Sequence, residues 1–290
     1  MTAVVALGFL VPPAVAMDQP QPEDEMMMMM EERHLSIPAV PAMPPSMESG
    51  VAPVNGIDMY YAMYGDDDGV PVLLIHGGLA HGDVWAHQVR GLMADHRVIV
   101  ADTRGHGRST NDGSAYSYEL LADDYLVLMD QLDVDRVHLV GWSDGANIGF
   151  VMAQMAPQRL ASLTAHGGNV TLDGIDPSVN EDPVFGQYVR KMAEDYVAMS
   201  PAPEMFNDFL GGVAQMWATE KPGGLASLRS ITVKTLVLQS AYDEAILTDH
   251  ARQIALAIPG ATYLEMPAVS HFALFQAPQD YTSFIRGMVR

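Results

Sequence analysis

The sequence predicts an α/β fold: a mostly parallel central sheet with helices on both faces and a small helical insertion. Three observations carry this. The continuous apolar run at 70–75 reads as a strand buried on both faces, and the short stretches 137–140 and 235–239 read as further strands. They alternate with stretches of helical periodicity, at about 84–94, 118–132, 144–156 and 248–257, and that alternation is the pattern of a parallel sheet covered by helices. Each short motif of chemical character follows directly on one of the strands, at the carboxyl end where sites form in such sheets.

In chain order, the folded domain is expected to span 51–290. Val54-Asn55-Gly56-Ile57-Asp58 reads as a hairpin turning at Asn-Gly, and 60–64 continues as a strand. The run at 70–75 ends in His76-Gly77-Gly78. A helix, a strand at 97–101 and a second helix follow. The strand at 137–140 then enters the tight turn Gly141-Trp142-Ser143-Asp144-Gly145, and 160–165 is a further short strand. The region of about 170–230 breaks the rhythm. Phe185, Tyr188, Met192, Tyr196 and Met199 stand three and four residues apart, as on one helix face, and Pro201 and Pro203 interrupt the pattern. The alternation resumes with 235–239, 248–257 and 261–266, and a last helix starts at Pro278.

Upstream of the domain, residues 1–16 carry an apolar run and the small-residue site Ala14-Val15-Ala16. They read as the later part of a secretory signal peptide that lacks its basic start. Residues 17–50, rich in Pro, Met and acid, read as a disordered linker. The apolar run is too short, and too broken by Pro12 and Pro13, to span a membrane. The residues leave open whether the chain is secreted, periplasmic or cytoplasmic, and they do not speak to its oligomeric state.

Composition narrows the function. Among 290 residues, 49% are hydrophobic, which is enough for one well-buried domain. The net charge of −21 repels phosphate backbones, so nucleic acid is not an expected partner. With no cysteine, thiol nucleophiles, thiolate metal sites and disulfides are excluded. His76, His81 and His87 lie close in sequence, but a zinc site also needs converging geometry and usually a carboxylate, and no metal or other cofactor is expected. His138 and His166 read as satisfied structural residues. Neither G-x-G-x-x-G nor a Walker A sequence occurs.

The chemistry centres on Ser143. Its pentapeptide matches G-x-S-x-G, in which the chain reverses so sharply that small residues must flank the serine at 141 and 145. A serine needs a base, and the base needs a carboxylate to hold it in the right tautomer. Among ten histidines, His271 is best placed, since it follows the strand at 261–266. Asp243 follows the strand at 235–239 and fits the acid, with its immediate neighbour Glu244 as the alternative. The order Ser143, Asp243, His271 is that of one hydrolase architecture.

Over roughly 51–290 the chain resembles the α/β-hydrolase-fold serine hydrolases. His76-Gly77-Gly78 is similar to the family's oxyanion turn, and Trp85 falls where many members have tryptophan. Asp102-x-Arg104-Gly105-x-Gly107-x-Ser109 resembles a turn that is structural in the family, which implies that Asp102 and His106 are not catalytic. The resemblance implies an oxyanion hole made by the backbone N–H groups of Gly78 and Asp144, and a lid over about 170–230 that also lines an acyl pocket. The elbow is similar to that of the valacyclovir-hydrolase-like subgroup, which implies a substrate-binding role for Asp144 toward an amino group. An aspartate in a helix's first turn is also stabilising in itself. The expected activity is hydrolysis of a small or medium carboxylic ester. Amidase, lactonase, carbon–carbon hydrolase, perhydrolase or haloperoxidase chemistry shares the same residues, and a non-catalytic binding protein would keep the same fold.

Overall fold

The computed structural model describes residues 32–66, 68–220 and 222–289. Eight strands form one sheet: β1 (Glu48–Val54), β2 (Ile57–Tyr64), β3 (Val72–Ile75), β4 (Val98–Ala101), β5 (Val137–Trp142), β6 (Leu160–His166), β7 (Thr235–Ser240) and β8 (Thr262–Met266), in the spatial order β1-β2-β4-β3-β5-β6-β7-β8. β1 and β2 pair antiparallel, β2 pairs antiparallel with β4, and every later pairing is parallel. The Asn-Gly hairpin forms as expected, with both turn residues at positive φ, Asn55 at 41° and Gly56 at 85°.

Burial follows position in the sheet. β3, β4 and β7 are buried along their whole length, as strands covered on both faces must be, whereas β1 and β8 at the two edges are largely exposed. β3 starts at Val72, two residues later than expected. Val70 is exposed, and Pro71 has no N–H to give to a ladder, though its carbonyl accepts from His138. The covering helices are α1 (Ala86–Leu92), α2 (Tyr118–Gln131), α3 (Asp144–Met155), α6 (Thr248–Ala257) and α7 (Pro278–Met288). The insertion contributes α4 (Pro183–Met199) and α5 (Phe206–Thr219). Ser117 caps α2 by accepting from Leu120 N–H at 3.1 Å. The stretch expected as one helix from Val84 splits into a 3₁₀ turn, Gly82–Trp85, and α1.

In the insertion, Asp182 caps α4 by accepting from Val184 and Phe185 N–H, and Pro183 takes the first helical position, where its missing N–H costs nothing. α4 turns Val184, Tyr188, Met192 and Tyr196 inward. α5 does the same with Phe209, Val213 and Met216, and Tyr196 stacks on Phe209 with their centroids 4.7 Å apart.

The N-terminal expectation needs correcting. The boundary at Val51 falls inside β1, and residues 32–47, expected as free linker, lie along the domain as a strap. Ile37, Val40 and Met43 pack against the core. Arg90 donates to Ala42 O at 2.8 Å, Gln276 donates to Ser36 O at 2.9 Å, and the His34 ring stacks 4.0 Å from Tyr242. Proline and methionine have no periodicity that reveals such packing, which depends on partners far away in sequence. Residues 1–16, and 17–31 of the expected linker, lie outside the described residues. Among the described residues, no helix is long and apolar enough to cross a membrane.

Candidate active site

Because β3, β5, β7 and β8 run parallel, the segments that follow them gather at one edge of the sheet. Ser143 stands between β5 and α3, half-buried, with φ 56° and ψ −119°, a strained conformation for a residue with a side chain. The reversal brings backbone very close to backbone. A Cβ on Gly141 would run into the Gly145 carbonyl, and one on Gly145 into the Ile75 carbonyl, so both positions exclude any larger residue. Ser143 N–H donates to His166 O at 2.8 Å, which ties the turn to β6.

The turn after β3 is fixed by its own histidine. Thr103 N–H donates to His76 Nε2 at 3.0 Å, so the ring proton sits on Nδ1 and is given to Gly77 O at 2.8 Å. Burial and the neighbouring His106 hold His76 neutral, with its pKa lowered to about 3. From the lid side, Tyr188 Oη donates to Gly78 O. A Cβ on Gly77 would lie 3.0 Å from Ser143 Cβ, so this turn passes directly beside the serine. The Asp144 N–H, at the start of α3, has no acceptor within its own helix.

His271 and Asp243 meet as the sequence indicated. His271 Nδ1 lies 3.0 and 3.1 Å from the two Asp243 oxygens, with side-chain exposures of 2% and 0%. Asp243 Oδ1 also accepts from Ala245 and Ile246 N–H. Burial would raise the aspartate's pKa, but His271 and these N–H donors outweigh it and hold it below the usual carboxylate range. Burial would likewise lower the His271 pKa; Asp243, then Glu244 and Asp144, outweigh it and leave it above the ordinary histidine value. Glu244 is not the ring's partner. It accepts from the backbone N–H of His271 at 2.9 Å, and burial pushes its pKa up to about 7. Trp142 donates from Nε1 to His271 O at 2.8 Å and packs edge-on against Tyr188, Phe272 and Phe275. His166, at the foot of the site, bonds Ser240 Oγ, and His138 bonds Ser162 Oγ, both as structural residues.

The Asp144 carboxylate is already engaged within the fold. It is 7% exposed, and both oxygens are engaged: Oδ1 accepts from Tyr118 Oη and Oδ2 from Trp217 Nε1, each at 2.7 Å. Burial raises its pKa, while these two donors oppose the rise. Trp217, from α5, lies so close to Gly78 that an added Cβ there would collide with its indole. Sequence reasoning missed Tyr118 and Trp217. Trp217 is one of only three tryptophans in the chain, and its place in the insertion was the available signal.

The Asp102–Ser109 turn is structural. Asp102 accepts from Gly82 N–H, Arg108 N–H and the Arg108 guanidinium, and Arg104 forks onto Asp124 with two 2.8 Å bonds. His106 gives its Nδ1 proton to Arg104 O. Among the described residues, no group of three or more His, Cys, Asp or Glu is arranged to hold a metal ion.

A family model described as the alpha/beta hydrolase fold matches residues 70–199. This chain has the α/β-hydrolase fold. It is 28% identical over 252 residues to the RutD protein of Azorhizobium caulinodans, named as a carbamate hydrolase, a match covering 79% of this chain and 94% of that one. It is 28% identical over 260 residues to the rhodomycin D methylesterase DnrP of Streptomyces peucetius, covering 71% and 86%. A solved structure described as an N-acyl homoserine lactone degrading enzyme superposes on this chain with TM-score 0.64 and 26% identity, covering 82% and 98%.

Proposed function

We propose that this α/β hydrolase is a serine hydrolase that cleaves small or medium carboxylic esters through an acyl-enzyme. The observation that carries the reading is the buried His271–Asp243 pair at the sheet edge that also presents Ser143 on its strained elbow. Ser143 Oγ attacks the ester carbonyl while His271 takes its proton at Nε2. Asp243 holds the Nδ1 proton and stabilises the imidazolium that forms. The N–H groups of Gly78 and Asp144 meet the oxyanion, where each such donor supplies about a hundred- to a thousand-fold in turnover. His271 returns the proton to the leaving alcohol, and water repeats the sequence to release the acid.

The names of the relatives fit this class. Methyl esters, lactones and carbamates all present a carbonyl bearing an oxygen or nitrogen leaving group, which one serine mechanism can serve. An amino-acid ester fits less well than the elbow resemblance implied, because the Asp144 carboxylate already holds two donors.

The test is fluorophosphonate labelling followed by intact mass. One adduct on the wild type and none on a folded Ser143→Ala protein is the expected result. A well-folded wild type that takes no adduct would overturn the reading in favour of a binding protein. The base must be neutral to act, and its pKa is raised. Turnover should therefore begin to fall with acidification at a higher pH than an ordinary histidine near 6.5 would give.

A further inference from the structure

Gly77 and Gly78 give the turn after β3 two adjacent residues of the freest backbone type, so its form has to come from ties to its neighbours. The peptides on either side of Gly78 are tied from opposite directions. The first carries the Gly77 carbonyl and the Gly78 N–H. It is held from the sheet side, where Gly77 O accepts from His76 Nδ1 at 2.8 Å and from Ala80 N–H at 3.2 Å. The second carries the Gly78 carbonyl and the Leu79 N–H. It is held from the lid, where Gly78 O accepts from Tyr188 Oη.

The second peptide has a reason to turn. Leu79 stands at φ 68°, in the left-handed region that a residue with a side chain avoids. Rotating this peptide changes ψ of Gly78 and φ of Leu79 together, and would let Leu79 leave that region. Gly78, without a Cβ, offers little torsional resistance to its half of the change. The Tyr188 hydroxyl opposes it. Its ring is buried against Trp142 and Phe272, with centroids 5.6 and 4.9 Å away, so the bond is shielded from water and the ring is fixed in place. The Asp144 N–H needs no such tie, because α3 begins at Asp144 and the helix sets its direction.

We infer that Tyr188 is a positioning residue for the ester hydrolysis: from the lid, its hydroxyl locks the Gly78–Leu79 peptide and so keeps the Gly78 N–H aimed where the oxyanion forms. The role rests on the reading of Ser143 as nucleophile and Gly78 as oxyanion donor. Its effect on the reaction passes through Gly78, and it makes α4 part of the catalytic geometry as well as a cover.

The experiment compares the wild type with Tyr188→Phe, which loses one oxygen and keeps the ring on Trp142 and Phe272. With p-nitrophenyl acetate, kcat should fall about ten-fold, the scale of one buried hydrogen bond, while KM stays within about two-fold. Inhibition by a trifluoromethyl ketone should weaken by the same factor. Ser143 Oγ adds to that ketone, its proton passing to His271 Nε2 and the carbonyl electron pair to the oxygen, so the inhibition constant reads the oxyanion hole without a leaving group. 4-Aminophenylalanine in place of Tyr188 keeps a donor on the ring and should hold kcat within about three-fold of the wild type. A rise in KM with kcat unchanged in Tyr188→Phe would mean that the hydroxyl only seals the lid, and would overturn the proposal while leaving Ser143 as the nucleophile. So would a folded 4-aminophenylalanine protein that loses ten-fold or more in kcat, even if Tyr188→Phe failed to fold. A folded wild type that cleaves no ester and takes no fluorophosphonate would instead overturn the hydrolase reading, and the role of Tyr188 with it.

Discussion

Two regions of this molecule face each other across the candidate site, and they are built on different principles. The sheet edge carrying Ser143, His271 and the Gly77-Gly78 turn is held by backbone groups. Ser143 N–H bonds His166 O, His76 bonds Gly77 O and Thr103 N–H, and Asp243 accepts two backbone N–H groups. The cover of lid and strap is held by side chains: Tyr196 on Phe209, Trp217 on Asp144, Tyr188 on Gly78, and Ile37, Val40 and Met43 on the core. Backbone positions admit few residues, so the edge is written in short motifs. Side-chain packing admits many, so the cover can vary while the chemistry beneath it stays the same.

Substitutions can test that contrast. The largest effect is expected at the edge. Asp243→Asn keeps the geometry but removes the charge that holds the ring, and should lower kcat by up to about four orders of magnitude with little change in melting temperature. Steady-state kinetics beside a thermal melt checks both. A smaller loss would mean that Glu244, already on the His271 backbone, takes over.

Gly78→Ala places a Cβ against both the Trp217 indole and the Asp144 carboxylate. If the Gly78 N–H is the oxyanion donor proposed above, this should cost about a hundred-fold in turnover by displacing it. Adding Trp217→Ala removes the bulkier obstacle and should restore part of that loss. No recovery in the double variant would show that lid and edge are not coupled at this point.

Trp217→Ala alone should act on selectivity. It opens space over Gly78 and should raise kcat/KM for bulky acyl esters relative to acetate by about ten-fold, the scale of a few methylenes in an apolar pocket. A panel of p-nitrophenyl esters reads the ratio directly.

The smallest effect is expected at Glu244. With a pKa of about 7, Glu244 carries only part of its charge where His271 titrates, so Glu244→Gln should lower the His271 pKa only slightly. The acid limb of the kcat/KM profile should then move to lower pH by about half a unit. A shift in the opposite direction would contradict the electrostatic picture of the pair.

How much was legible follows the same division. The Asn-Gly hairpin, the buried strands and the elbow could each be read from residue types at fixed spacing, and His271 with an acid at 243 or 244 from their places after strands. The choice of Asp243 over Glu244 could not, because two adjacent carboxylates differ only in which way the loop turns them. The strap was misread as linker since its few apolar residues have no period. Trp217 and Tyr118 went unnoticed, since nothing in the neighbouring sequence says that an aspartate 73 or 26 residues away will need their protons.

The sequence by itself determined the α/β layering, the strained serine turn and the order of the chemical groups along the chain. These depend on local backbone demands and on hydrophobic period, which act over a few residues at a time. Only the tertiary structure decided that the strap packs along the domain, that Asp144 is occupied from above and below, and that a lid tyrosine grips the turn beside Ser143. Those are contacts between side chains far apart in sequence, and their energy exists only once the whole fold has brought them together.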